Sequence, residues 1–176
     1  MPGIQIDIHP ASHVTTDAIG KPGERVFYLQ ATQPESAVTT LLIEKAQLQS
    51  LVTGIQQFMD EIHQEYQNIP ADSAEFDEDA MRIQTPVDPL FRVGEIGLGY
   101  DFSEDLIVLL ARESQLEGQT VEDLSVVRVW CTRSQIRALG AWSIMLITRG
   151  RPLCPQCGEP MDPEGHFCPK KNGHKH

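Results

Sequence analysis

The sequence predicts an α+β fold, in which a largely antiparallel sheet of about six strands is covered by two helices. Three observations support this class. Short stretches alternate apolar and polar residues, which is the period of a half-buried strand. Two longer stretches repeat their apolar residues every three or four positions, as amphipathic helices do. The chain ends in a segment rich in cysteine and histidine, which predicts a small zinc knuckle or ribbon.

The N-terminal half contains three predicted strands and the first helix. Ile4, Ile6 and Ile8 alternate with polar residues, and strands are predicted over 25–32 and 37–43, the latter two as a hairpin. The apolar residues of the helix that follows lie on one stripe: Leu48, Leu51, Val52, Ile55, Phe58, Met59, Ile62 and Tyr66. Such a stripe is typical of a helix that packs against a sheet, although it could also bind a partner.

Residues 68–90 interrupt the pattern with three prolines and an acidic run, Glu75, Asp77, Glu78 and Asp79. Clustered carboxylates can bind calcium, but this run lacks the alternate-residue ligand spacing and the glycine turn of a calcium loop. A solvated loop is therefore predicted, and we expect it to be the most mobile part of the body.

The second half repeats the order of strands and helix. Strands are predicted from Phe91 onwards, over 106–111 and over 126–131. Thr132 and Gln135 then have the spacing of a capping box, which predicts the start of the second helix. The predicted order is β-β-β-α-β-β-β-α, followed by the cysteine-rich tail.

Gly97 and Gly99 alternate with larger residues in the strand that follows residue 91. Their spacing does not match a dinucleotide-binding or phosphate-binding loop. Glycines at alternate strand positions leave a flat face or a bulge that another backbone can approach. This face is a candidate ligand site.

The tail carries the residues with the clearest chemistry. Cys154 and Cys157 form a Cys-x2-Cys pair, and Cys168 supplies a third thiolate. His166 and His174 compete for the fourth position. His166 is preferred because residues two apart in an extended segment project to the same side, which lets it bind together with Cys168. His174 is the alternative fourth ligand, but it lies close to the chain end, where fraying is common.

Four protein ligands leave no open position on a zinc ion, so the sequence predicts a structural rather than a catalytic site. The predicted domains are an α+β body, residues 1–150, and a zinc-binding tail, residues 151–176. A segment as short as the tail cannot build its own apolar core, and the metal would supply its folding free energy. The body is expected to fold without the metal.

Charge restricts the partners. The chain has a net charge of −11, made up of −13 in residues 1–148 and +2 in the remainder. A body with this large negative charge repels the phosphates of nucleic acids. Duplex DNA is therefore an unfavourable partner. The sequence lacks the pattern of a signal peptide or a membrane-spanning helix. With three cysteines in a metal-type cluster, we expect a cytoplasmic protein.

Two other groups could carry chemistry. Cys131 precedes a helix start, where a thiol can become reactive, but a lone cysteine is more often a small buried apolar residue. His9 and His13 lie near Asp7 and Asp17 and could form a second metal or acid–base site, although histidines in a loop are usually solvated. No common catalytic motif is present in the sequence, and a non-enzymatic protein is favoured.

The tail, from Cys154 to Cys168 and onwards, resembles the end of an uncharacterised bacterial family of unknown function. Its members have a similar length and share the signature CPxCG…DPEGHxCP, which this chain carries after the helix segment 134–139. The resemblance covers the full chain. It implies a cytoplasmic bacterial protein with a zinc-type tail, and it brings no established activity.

Three functions are compatible with these features. The first is a non-enzymatic binding or adaptor protein that uses a zinc tail to contact a protein partner. The second is an enzyme or small-ligand-binding domain with a site on the sheet face, over Gly97 and Gly99. A nucleic-acid-binding zinc ribbon is the third. A deep pocket with converging polar groups would favour the second, and an apolar patch continuous with the tail would favour the first.

Overall fold

The strands and helices follow in the order that defines an α+β fold, which confirms the predicted class. The computed structural model describes residues 2–149, 154–159, 161, 166 and 168–171. Within these residues the strands are β1 (Gln5–Ile8), β2 (His13–Ile19), β3 (Val26–Thr32), β4 (Thr39–Ile43), β5 (Val93–Asp101), β6 (Leu106–Glu113) and β7 (Val126–Cys131). The helices are α1 (Lys45–Glu65) and α2 (Arg133–Thr148), with single 3₁₀ turns at Val121–Asp123 and Pro169–Lys171.

The strands form two sheets rather than one. A four-stranded sheet has the order β1-β7-β6-β5 and is antiparallel except for the parallel pair of β1 and β7. A three-stranded antiparallel sheet has the order β2-β3-β4. The sheets meet where β1 leads into β2, because Ala11 and Ser12 donate backbone hydrogen bonds to β7 and β3. They meet again where Leu42 of β4 bridges to Arg92, just before β5.

The two helices pack against each other and against both sheets. The buried residues of α1 lie on the predicted stripe: Leu48, Leu51, Ile55, Met59 and Ile62. Helix α2 begins with the predicted capping box, in which the Gln135 amide donates to the Thr132 hydroxyl at 3.0 Å. Trp142 of α2 is fully buried, and its ring N–H donates to the carbonyl of Thr16 on β2. The core therefore lies between α2, α1 and the inner faces of the sheets.

Strand β2 was not predicted, because its central residues are polar. The segment His13–Ile19 buries Thr15, Thr16 and Asp17, which a hydropathy pattern assigns to the surface. Each finds a hydrogen bond inside the protein. The Thr16 hydroxyl lies 3.0 Å from that of Ser143, and the Asp17 carboxylate accepts backbone N–H bonds. Buried polar groups are tolerated when they are paired in this way.

The long connection between α1 and β5 makes contacts with the body that the sequence did not predict. Its acidic run is exposed, as expected of a solvated loop. Met81, however, is 4% exposed and packs in the core. The Gln84 backbone amide donates to the side chain of Gln30 on β3 at 2.8 Å, and the Gln30 amide donates back to the Gln84 carbonyl at 3.0 Å. These contacts anchor part of the connection to β3 and to the core, and the expectation of high mobility stays a prediction.

Removal of residues 151–176 is expected to leave a body that still unfolds cooperatively. Every member of the hydrophobic core in the described part of the chain lies between Ile8 and Leu146, so none comes from the tail. Truncation after Gly150, followed by thermal unfolding monitored by circular dichroism, tests this prediction. The full-length chain serves as the control. A broad, non-cooperative transition in the truncated chain would show that the tail belongs to the core and that the domain boundary is misplaced.

Candidate metal centre

The first two cysteines of the tail lie on a tight turn. The Gly158 amide donates to the Cys154 carbonyl at 2.9 Å, and the Cys154 amide donates to the Glu159 carbonyl at 2.8 Å. Gly158 has φ +78°, a left-handed conformation that glycine adopts without strain. Hydrogen bonds from the Cys157 and Gln156 backbone amides lower the pKa of the Cys154 thiol to about 7. The turn therefore favours the thiolate form, which binds metals.

The second pair of tail residues meets this turn. One possible ligand atom from each of Cys154, Cys157, His166 and Cys168 lies within 4.8 Å of the other three. The Sγ atoms of Cys154 and Cys168 are 3.8 Å apart, and the Cys157 Sγ is 3.2 Å from the His166 Nε2. A regular tetrahedron with Zn–S bonds of about 2.3 Å has S–S edges of about 3.8 Å and S–N edges of about 3.5 Å. The donor set and its spacing fit zinc.

The cluster is partly shielded from water. Cys168 is fully buried and Cys154 is 4% exposed, whereas Cys157 and His166 are half-buried. A hydrogen bond from the Glu159 amide acts to lower the pKa of the Cys157 thiol. Desolvation and the contacts with the sulfurs of Cys154 and Cys168 outweigh that hydrogen bond, so the pKa of Cys157 is raised. When neighbouring thiols in a partly buried cluster lose their protons, the resulting thiolates repel each other. A bound cation would relieve that repulsion.

These four residues are the ones that the sequence singled out, and the structure brings all of them together. The alternative ligand His174 lies outside the described residues. A set of four protein donors fills a tetrahedral ion and leaves no coordination position for a substrate. Chemically, the arrangement can hold a metal and stabilise the fold of the tail.

The fold and the cluster define an α+β protein of two small sheets with a three-cysteine, one-histidine group in its C-terminal tail. Residues 7–168 match the family described as Protein of unknown function (DUF3090), and the chain belongs to that family. The match runs from β1 to the last residue of the cluster, so it includes both body and tail. No curated protein and no solved structure matches the chain.

No helix in the described part of the chain is both long enough and apolar enough to cross a lipid bilayer.

The surroundings of Cys131 do not favour a reactive thiol. It is fully buried at the end of β7, and burial raises the pKa of its thiol to about 12. A protonated, inaccessible thiol does not act as a nucleophile. Of the two interpretations of this cysteine, the structure supports the small buried apolar residue.

His9 and His13 do not form a second site with the aspartates near them. His9 stacks on Trp130, with ring centroids 4.6 Å apart, and its Nε2 lies 2.5 Å from Glu104. Asp7 pairs instead with an arginine of β7. His13 opens strand β2 rather than lying in a loop. Within the described residues, the tail cluster is the group of three or more histidine, cysteine and acidic residues with metal-binding spacing.

A buried ionic cluster around Asp72 was not predicted from the sequence. The Asp72 side chain is 2% exposed and accepts hydrogen bonds from Arg133, at 2.6 Å, and from Arg137. The Nε2 atom of His63 on α1 lies 2.8 Å from the same carboxylate. Arg133, 5% exposed, also donates two hydrogen bonds to Asp105, at 2.8 and 3.0 Å. The cluster joins α1, the long connection, the β5–β6 turn and α2.

Ion pairs with arginine determine the protonation states of the two aspartates in this cluster. Burial opposes ionisation of Asp72, but hydrogen bonds from Arg137 and Arg133 outweigh it and lower the pKa of the carboxyl group. The hydrogen bond from Arg133 likewise lowers the pKa of Asp105. Burial, together with a 2.7 Å hydrogen bond to Asp105, raises the pKa of Tyr100 to about 12. Each carboxylate stays charged because an arginine compensates its charge. The cluster therefore has a structural role, in which paired charges hold these elements together.

Proposed function

We propose that the protein is a non-enzymatic binding or adaptor protein whose tail is folded around one structural zinc ion. The observation that carries the metal assignment is the convergence of Cys154, Cys157, His166 and Cys168 within 4.8 Å. Three thiolates and one imidazole are soft and borderline donors that zinc prefers over calcium or magnesium. The four-ligand set supports a structural role. Thiolate ligands survive in reducing surroundings, which supports a cytoplasmic location.

A binding function is favoured over catalysis by the surroundings of Gly97. A groove of about 490 Å³ lies beside this glycine, between α1 and β5. Of the residues described along its walls, Glu61 is the one with a titratable side chain. Enzymes that use general acid–base catalysis commonly position two titratable groups at the reacting atoms, and no second one lines this groove in the described part of the chain. The groove is suited to holding a ligand rather than transforming it.

Nucleic acid is the least favoured partner class. The −13 charge of residues 1–148 opposes approach to phosphates, and the excess of two positive charges in the tail region is small. We propose that the partner is a protein and that duplex DNA does not bind at physiological salt.

Purified protein is expected to contain one zinc ion per chain. Elemental analysis of the purified full-length chain measures this directly. His166→Ala should lose the metal, because it removes the imidazole that lies 3.2 Å from the Cys157 sulfur. His174→Ala is the matched control and should keep it. The opposite result, in which His166→Ala retains zinc and His174→Ala loses it, would show that His174 is the fourth ligand. Absence of zinc from the unaltered chain would overturn the metal assignment.

A further inference from the structure

Strand β5 has a free edge. It is the last strand in its sheet, and one of its edges pairs with β6 over Val93–Asp101. Within the part of the chain that the structure describes, no strand pairs with its other edge, since the contact with β4 ends at Arg92. Gln47 of α1 donates a side-chain hydrogen bond to the Val93 carbonyl at 2.8 Å. Beyond that point the backbone donors and acceptors along this edge have no strand partner among the described residues, and such groups can pair with another extended chain.

Helix α1 runs beside this edge and forms the other wall of the groove. Its apolar lining comes from both elements: Leu51, Phe58, Ile96 and Leu98. Leu51 is buried and the other three are half-buried, so the apolar surface lies inside the groove. The exposed polar residues that line it are Ser50, Gln57 and Glu61 on α1. An apolar floor with polar groups along one side is suited to a side chain that enters from a strand at the edge.

Gly54 adds to the open space. It lies in the interior of α1, where glycine destabilises a helix relative to alanine. Packing does not require it, because a Cβ at this position would meet only the Leu98 Cδ1, at an ordinary 3.9 Å. A Cβ at Gly97, on β5, would meet no atom within 4 Å. Neither position has the left-handed backbone that favours glycine. The fold alone therefore does not account for these two glycines.

Charge indicates what would enter the groove. Glu61 forms no salt bridge with any described residue, and no basic side chain lines the groove in that part of the chain. A second copy of this protein would bring another Glu61 and a net charge of −11 to the same edge. Like charges oppose association. A basic segment is complementary instead.

We propose that the groove between α1 and the free edge of β5 binds an extended, basic segment of a partner protein. The segment adds to the sheet as a further strand, one apolar side chain enters between Leu51, Phe58 and Leu98, and a lysine or arginine pairs with Glu61. Main-chain hydrogen bonds supply affinity in this mode and the groove supplies selectivity. The inference rests on the binding function proposed above, for which it names the surface and the kind of partner.

Selection from a random-peptide display library on the zinc-containing full-length chain tests this proposal. We expect the enriched peptides to alternate apolar and basic residues and to lack proline, which cannot donate a ladder hydrogen bond. A synthetic copy of the most enriched peptide is then the probe. Its binding should shift the backbone amide resonances of β5 and α1. Failure to enrich any peptide, or shifts confined to other elements, would overturn the proposal.

Variants of α1 make the test specific. Gly54→Met fills the groove and should weaken binding of the probe by about tenfold or more, since the apolar side chain of the peptide loses its space. Its melting temperature should not fall, because a helix-interior glycine is replaced. Thr53→Met, at an exposed neighbouring position outside the groove, is the matched control and should keep the affinity. Unchanged binding by Gly54→Met would contradict the proposed site.

Two further measurements separate the possible causes of failure. The groove consists of body residues, so probe binding should survive removal of zinc with a chelator, whatever the outcome for the metal. Glu61→Gln should reduce both the affinity for the probe and its dependence on salt. If the chain instead forms a dimer that Gly54→Met disrupts, the groove is occupied by a second copy and the basic-segment proposal is wrong.

Discussion

Replacement of Cys168 by serine is expected to lower the affinity of the protein for zinc by more than about 100-fold, which is the upper range for loss of a residue that only hydrogen-bonds to a metal ligand. Cys168 is fully buried, and its sulfur lies 3.8 Å from that of Cys154, at the spacing of two ligands on one ion. A serine hydroxyl is a hard, neutral donor and is a poor replacement for a thiolate. Competition with a chromophoric chelator measures the affinity. Because zinc displaces protons from its ligands, the affinity should also fall as the pH is lowered.

Cys131→Ala is the control for this experiment. It removes a thiol that is buried at the end of β7 and is not a member of the cluster, so the zinc content and affinity should not change. Equal losses in the two variants would indicate unfolding rather than ligand removal. A Cys168→Ser protein that binds zinc as tightly as the unaltered chain would exclude Cys168 as a ligand.

The second large effect is expected at Asp72. Asp72→Asn should lower the free energy of unfolding by about 3 kcal/mol at neutral pH, the lower end of the cost of breaking a buried ion pair. Arg133 is 5% exposed and would keep Asp105 as its partner, which is why the lower end applies. Urea denaturation measures the change. Asp88→Asn, at an exposed position in the same connection, is the control and should be nearly neutral.

The stability difference between the unaltered chain and Asp72→Asn is also expected to depend on pH. Pairing lowers the pKa of Asp72 in the folded state, so its contribution is fully present above the unfolded value of about 3.9. It is lost as the pH falls below that value and through the lower folded pKa. The stability difference between the unaltered chain and Asp72→Asn should therefore narrow below about pH 4. A difference that stays constant down to pH 2 would contradict the assigned role of the charge.

Features that depend on near neighbours in the sequence could be predicted. The apolar stripe of α1 and the capping box of Thr132 are local patterns, and both appear in the structure as expected. The four cluster residues also followed from local spacing, because the cysteine pair and the His-x-Cys pair each form within a few residues. The ligand surface hypothesised over Gly97 and Gly99 stays a prediction; Gly97 lines the groove, whose other wall on α1 could not be inferred from the strand pattern.

Features that depend on distant pairs could not be predicted. Strand β2 has a polar sequence, and only its hydrogen bonds to α2 and to the long connection explain why it is buried. Asp72 meets Arg133 across 61 positions in the sequence, and neither residue differs from an ordinary surface charge until the fold brings them together. The division into two sheets has the same origin, since it depends on strand pairings that no local period specifies.

The pairing of β1 with β7 affects how the chain folds during its synthesis. Gln5 of β1 pairs with Val126 of β7, so β1 has no partner within its sheet until β7 has been synthesised. Contacts between residues so far apart carry a large loop-closure entropy and slow the folding of a domain. On the ribosome, the N-terminal strand must therefore wait until β7 has left the exit tunnel, and a chain that stalls earlier would expose its apolar face to chaperones.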